Sequence, residues 1–124
     1  MTHVFLVEDH AGLRQRVRDA INRVPSVQVV GEADAVQPAL DGIRASQPHA
    51  IVVDYHLGGE SGLTIVKEIA RELPSIRIIV FSSFMTARHQ AVFQRAGAHW
   101  CFDKTAGLDA MLGAIAGIAE GRDA

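Results

Sequence analysis

Six residues with charged or nucleophilic side chains stand at the ends of short apolar runs in this 124-residue chain. Glu8 and Asp9 follow the run over residues 4–7, Asp54 follows 50–53, Ser82 and Ser83 follow 76–81, and Lys104 comes just after 99–102. Taken singly, a polar residue after an apolar run is ordinary loop. Three carboxylates, a hydroxyl and an ammonium gathered on one rim would be chemistry. Carboxylates a few ångströms apart repel, and each has its pKa raised unless a cation sits among them. A hard divalent ion resolves that repulsion, because Mg²⁺ takes oxygen ligands and needs only a few carboxylates and a carbonyl beside its waters. A carboxylate oxygen left free opposite Lys104 then suits a phosphoryl group, with Asp54 as the nucleophile.

For these residues to meet, the apolar runs must be neighbouring strands. Each is short and rich in β-branched residues, and each is followed by a segment of helical period, which is the pattern of parallel strands joined by crossover helices. Helices are predicted over 11–24, with Leu13, Val17, Ala20, Ile21 and Val24 on one face, over 37–46 with Leu40 and Ile43, and over 63–73 with Ile65, Val66, Ile69 and Leu73. Two more are predicted over 87–96, stopped by Gly97, and over 108–119. The second strand is placed at 27–30, and the wholly apolar 50–53 is the central one, covered on both faces. Gly58-Gly59-Glu60-Ser61-Gly62 reads as a sharp loop whose glycines supply positive φ. Five βα units specify one α/β domain over 1–124 with a doubly wound, five-stranded parallel sheet, and such a sheet binds ligands outside the carboxyl ends of its strands.

Composition excludes several classes. With 12 Lys+Arg against 14 Asp+Glu, a net charge of −2 and 48% apolar residues, the chain is neither disordered nor a module that binds nucleic acid through bulk charge. One cysteine, Cys101, rules out a disulfide framework or a multi-thiolate zinc site, and the compartment is expected to be reducing. The apolar run at the N-terminus is too short for a secretory signal, and no stretch is long enough for a membrane span. A cytoplasmic location, with no membrane contact, is the expectation. The six histidines, at 3, 10, 49, 56, 89 and 99, show no metal-ligand pairing, and Phe81, Phe84 and Phe102 read as packing.

Together, Val7-Glu8-Asp9, Val53-Asp54-Tyr55-His56-Leu57 with Gly62-Leu63, Val80-Phe81-Ser82-Ser83, and Ala96-Gly97-Ala98 leading to Lys104 resemble the receiver domain of bacterial two-component response regulators, over essentially the whole chain. The resemblance implies a flavodoxin-like strand order, 2-1-3-4-5. It implies that Asp54 takes a phosphoryl group from a phosphohistidine on a sensor histidine kinase or a histidine phosphotransfer protein. Glu8, Asp9, Asp54 and the backbone carbonyl of His56 would hold Mg²⁺, with Lys104 pairing to the phosphate and the Ser82 hydroxyl moving towards it. Ser83, Tyr55 and His56 would line the phosphate. Beyond self-phosphorylation and slow autodephosphorylation, no enzymatic turnover is implied. Output would run through the fourth helix, fifth strand and fifth helix, as homodimerisation or contact with a downstream target, without direct nucleic-acid binding by this domain.

Three positions depart from the family pattern. Thr105 follows Lys104 where many receivers have proline, and Gly58 stands where proline is frequent. Cys101 occupies the place of the aromatic residue whose rotation reports phosphorylation, so Ser82, Cys101 and the neighbouring Trp100 become the candidate switch. Competing readings are weaker. A flavodoxin-like cofactor binder needs a phosphate loop where Glu8-Asp9-His10 would repel one, and an aspartyl-phosphate phosphatase wants an acid where His56 stands. A pseudo-receiver would have lost residues that are all present here. No output domain follows before Ala124, which leaves a stand-alone receiver or the receiver part of a DNA-binding regulator.

Overall fold

A computed structural model describes residues 1–83 and 85–121; Phe84 and the chain end 122–124, both considered above, lie outside the described residues. The elements run β1 (Thr2–Val7), α1 (Ala11–Asn22), β2 (Val27–Ala33), α2 (Val36–Ser46), β3 (Ala50–Val53), β4 (His56–Leu57), β5 (Glu60–Ser61), α3 (Leu63–Glu72), β6 (Arg77–Ser82), α4 (Ala87–Ala96), β7 (Trp100–Asp103) and α5 (Leu108–Ala119). Five strands form one parallel sheet in the order β2-β1-β3-β6-β7, the expected 2-1-3-4-5 arrangement with a small hairpin, β4-β5, inserted after the central strand.

Alternation along the strands divides the core into two layers. Phe5, Val7, Ile51, Val53, Ile78 and Val80 face α2, α3 and α4, meeting Leu40, Ile43, Ile65, Val66, Ile69 and Phe93. Val4, Leu6, Val52, Ile79 and Phe81 face α1 and α5, meeting Val17, Ile21, Met111 and Ile115. Both faces of the central strand are therefore buried, which is why its sequence shows no polar alternation.

Most element bounds move by a residue or two from the sequence expectation, and three differences bear on the fold. α1 ends at Asn22, two residues early. β2 runs three residues past Val30, through Gly31. That glycine interrupts the β-branched run, yet it makes room for a neighbour: a Cβ there would stand 2.5 Å from the Phe5 ring. The loop after Asp54 is a two-stranded antiparallel hairpin, His56↔Ser61 and Leu57↔Glu60, whose strands are too short to leave a periodic signal.

Candidate functional site

The strand ladder continues past the strand ends and carries the polar residues with it. Glu8 N–H donates to the Ala33 carbonyl (3.0 Å), Asp54 N–H to that of Val7 (3.1 Å) and Lys104 N–H to that of Ser82 (3.0 Å). Glu8, Asp9, Asp54, Ser82 and Lys104 thus share one rim, as the strand-end argument requires. Glu8, Asp54 and Ser82 are buried, while Asp9 is exposed.

Asp54 is held at both carboxylate oxygens. Lys104 Nζ lies 2.7 Å from Oδ2, and the Ser82 hydroxyl donates to Oδ1 at 2.8 Å, with the His56 N–H at 3.3 Å from the same oxygen. Lys104 also reaches Glu8 Oε1 at 2.6 Å, so one ammonium serves two buried carboxylates. Glu8 Oε2 accepts from the His10 N–H (3.1 Å), and Asp9 Oδ2 from the Gly58 N–H (2.8 Å). Ligand oxygens of Glu8, Asp9 and Asp54 all lie within 4.8 Å of one another.

With the Lys104 ammonium among the carboxylates, Glu8 and Asp9 shift in opposite directions. Burial raises the Glu8 pKa, against the Lys104 hydrogen bond that lowers it. Asp9 is shifted down: its slight desolvation opposes ionisation, and the Gly58 N–H with the neighbouring polar groups outweighs it. Depth decides between them, because Glu8 has lost its water and Asp9 has not. Burial also works against the Lys104 ammonium, but Asp54 and Glu8 overcome it and raise its pKa.

Gly62 shows a constraint that its sequence context did not. The loop reading assigned positive φ to these glycines, and Gly58 has it (φ 63°), whereas Gly62 is helical at φ −63°. Its requirement is space: a Cβ would stand 2.0 Å from the Asp54 carbonyl oxygen. Glu60, on the same hairpin, accepts the Val36 N–H (3.0 Å) at the start of α2, a helix without a side-chain cap of its own.

The remaining candidates lie around this centre. Ser83 is half-buried at the strand end, and the exposed His56 contributes its backbone N–H to Asp54. The Tyr55 ring packs edge-on against Phe93 (centroids 5.3 Å apart) and beside His89 (5.9 Å), so its side chain joins α4. Trp100 and Cys101 face opposite layers as strand alternation requires. Trp100 packs on the α1/α5 side with the Arg77 guanidinium 5.2 Å from its ring centroid. Cys101 packs on the side of Phe93, with burial pushing its thiol up to about 11. Sequence reasoning passed over Asp103. Its Oδ1 accepts from Thr105 N–H (2.8 Å) and hydroxyl (2.6 Å), and its Oδ2 from Met85 N–H (3.1 Å), fixing the loop that carries Lys104. The Asp-Lys-Thr spacing of a side-chain turn was the available signal.

An open parallel sheet with this acid, hydroxyl and ammonium rim at its strand ends is a doubly wound α/β domain with a candidate anion and cation site at its switch point. The chain belongs to the response regulator receiver domain family, whose model matches residues 4–116. It is 31% identical over 84 residues to the DNA-binding transcriptional activator DevR/DosR of Mycobacterium tuberculosis, covering 68% of this chain and 39% of that protein. To the response regulator GacA of Pseudomonas aeruginosa it is 28% identical over 122 residues, 98% of this chain and 57% of that one. The chain spans about half the length of these curated relatives. Among solved structures it resembles a LuxR-family two-component response regulator from Aurantimonas (TM-score 0.90, 28% identity, 99% of this chain and 89% of that one). It also resembles the receiver domain of the putative response regulator NarL from Mycobacterium tuberculosis (TM-score 0.85, 29% identity, 98% of both chains). No helix among the described residues is long and apolar enough to cross a membrane.

Proposed function

We propose that this receiver accepts a phosphoryl group on Asp54 from a phosphohistidine of a sensor histidine kinase or histidine phosphotransfer protein. One observation carries the reading: the Asp54 carboxylate is clasped between Lys104 Nζ (2.7 Å) and the Ser82 hydroxyl (2.8 Å), beside two further acids. An Asp54 oxygen forms the new bond to phosphorus as the phosphorus–nitrogen bond breaks, and the electron pair of that bond leaves with the histidine nitrogen. Lys104 and Ser82 then contact the transferred oxygens. Little covalent work is asked of the protein, since phosphoryl transfer depends mainly on positioning and charge neutralisation.

The all-oxygen donor set of Glu8, Asp9 and Asp54, with Asp9 open to solvent, fits a hard cation, and Mg²⁺ is the ion we assign to it, with the His56 carbonyl as a further ligand by family resemblance. When bound, such an ion neutralises charge on the phosphoryl oxygens. His56, two residues after Asp54, offers no second acid for rapid hydrolysis, so we assign no steady turnover. We place the protein in the cytoplasm, with output through α4, β7 and α5 to a second copy or a downstream target. Because the chain spans about half the length of its curated relatives, one of them a DNA-binding activator, a receiver part of a longer DNA-binding regulator is the favoured setting.

The test is intact mass after incubation with acetyl phosphate and Mg²⁺. A gain of about 80 Da, one phosphoryl group on the acceptor, is expected in the wild type and not in Asp54→Asn. Labelling that persists in Asp54→Asn overturns the assignment.

A further inference from the structure

Arg14 has no part in the site as described, yet it touches the backbone from which the acidic pair departs. Its Nη1 donates to the Glu8 carbonyl at 2.8 Å, while its Nε lies 3.2 Å from Glu32 Oε1 on β2. Arg14 and Glu32 are only about a quarter exposed, at 24% and 25%. Arg18, one turn further along α1, pairs with the other Glu32 oxygen at 2.9 Å.

The position of that carbonyl explains why the contact matters. β1 pairs with β2 as far as Val7↔Ala33, and the peptide entering Glu8 is still held by both neighbouring strands. The next peptide, Glu8 to Asp9, lies past the last strand pairing. Its carbonyl takes its hydrogen bond from Arg14 instead. Rotation of that peptide would swing Asp9 about the strand end. Asp9 is exposed and has little packing to resist such a swing; its carboxylate is tied to the Gly58 N–H. Arg14 is suited to the task because a guanidinium is a rigid planar fork: one arm is oriented by Glu32, so the other is aimed before any ligand arrives.

We propose that Arg14 is a positioning residue for the acidic rim, its guanidinium fixing the Glu8–Asp9 peptide so that Asp9 is preset for a divalent cation. This rests on the cation-binding reading of the rim given above. Residues that orient metal ligands without touching the metal typically change affinity by 10–100-fold when removed.

The experiment titrates Mg²⁺ into the full chain by calorimetry, comparing wild type, Arg14→Met and Arg18→Met, each checked for folding by circular dichroism. Arg14→Met should weaken Mg²⁺ binding by about 10-fold or more. Arg18→Met loses a Glu32 contact but none to Glu8, and should stay within about 2-fold of wild type. A second readout needs no ion: amide hydrogen exchange at His10 and Gly58, the donors to Glu8 and Asp9, should quicken in Arg14→Met and not in Arg18→Met. Arg14→Lys keeps the charge but not the fork and should fall between; it also carries the test should Arg14→Met not fold. Wild-type Mg²⁺ affinity and unchanged exchange in a folded Arg14 variant would overturn the proposal alone. Absence of Mg²⁺ binding in the wild type would overturn the reading of the rim, and this inference with it.

Discussion

Replacing Lys104 by methionine removes the cation that two buried carboxylates share while keeping most of the side-chain volume. The Glu8 and Asp54 side chains are only 4% and 6% exposed, so neither recovers the solvation it gave up on folding. At 2.6 and 2.7 Å, and an effective dielectric of about 20, each contact with Nζ represents roughly 6 kcal/mol of gross attraction. Most of that offsets the desolvation of the three groups. The net cost of breaking a buried pair by deleting one partner is about 3–5 kcal/mol, because an uncompensated charge is left behind. In a domain of this size that lowers the melting temperature by roughly 10–20 °C.

The loss must depend on pH. Burial already raises the Glu8 pKa, and removing Lys104 takes away its hydrogen bond and its charge, both of which oppose that shift. As pH falls through the raised value, folded Glu8 binds a proton that the unfolded chain, titrating near 4.5, has not yet taken up. Stability therefore recovers towards acid. In the wild type the raised Lys104 pKa has the opposite edge: its contribution is complete below the unfolded value near 10.5 and is lost as pH rises through the folded one. Urea unfolding in EDTA at pH 8 and pH 5 should show the full deficit of Lys104→Met at pH 8 and a clearly smaller one at pH 5. Equal deficits at both pH values, or none at either, would refute the reasoning that Lys104 compensates buried charge.

Two further predictions follow from the same rim. Gly62→Ala places a methyl group 2.0 Å from the Asp54 carbonyl oxygen, so the acceptor loop must shift; a destabilisation of about 2–4 kcal/mol in urea, with slower labelling of Asp54, is expected, and wild-type stability would show that the loop yields freely. The lone tryptophan, Trp100, borders Cys101 on β7, and its emission should change when beryllofluoride and Mg²⁺ are added, with no change in Ser82→Ala and little effect of Cys101→Ser. A full response in Ser82→Ala would separate the Ser82 hydroxyl from the switch.

What the sequence made legible follows from period and punctuation. β-branched runs and apolar helical faces located the five βα units, and residues directly after the strands had to converge because parallel strands end on one side. What stayed hidden depended on contacts across the fold. Gly31 reads as the end of the second strand because nothing local reveals the Phe5 ring for which it makes room. The β4-β5 hairpin has two residues per strand, too few for alternation, and its role is carried by distant partners, Asp9 at Gly58 and Val36 at Glu60. The Tyr55 ring packs against Phe93 and His89 of α4, contacts that its place beside Asp54 in the sequence does not reveal. The opposite shifts of Glu8 and Asp9 could not be read either, since the two are adjacent in sequence and differ in depth and in the donors that the fold brings to them.

That difference in depth explains how like charges coexist at one rim. Glu8 is buried, and Lys104 and the His10 N–H support its negative form, while burial and the Asp54 charge still leave its pKa raised. Asp54 is equally buried but is held at both oxygens by a cation and by hydroxyl and amide donors. Asp9 keeps its water and is favoured as the anion by the Gly58 N–H, with smaller help from Glu8, its own backbone and the Lys104 charge. One ammonium therefore carries the neutralisation of the deep pair, while solvent carries that of the outer acid. On the reading proposed above, a phosphoryl group arriving at Asp54 meets Lys104 and Ser82 already within hydrogen-bond reach of the acceptor, so the site is arranged before its ligand comes, and the polar environment needs little reorganisation as charge develops.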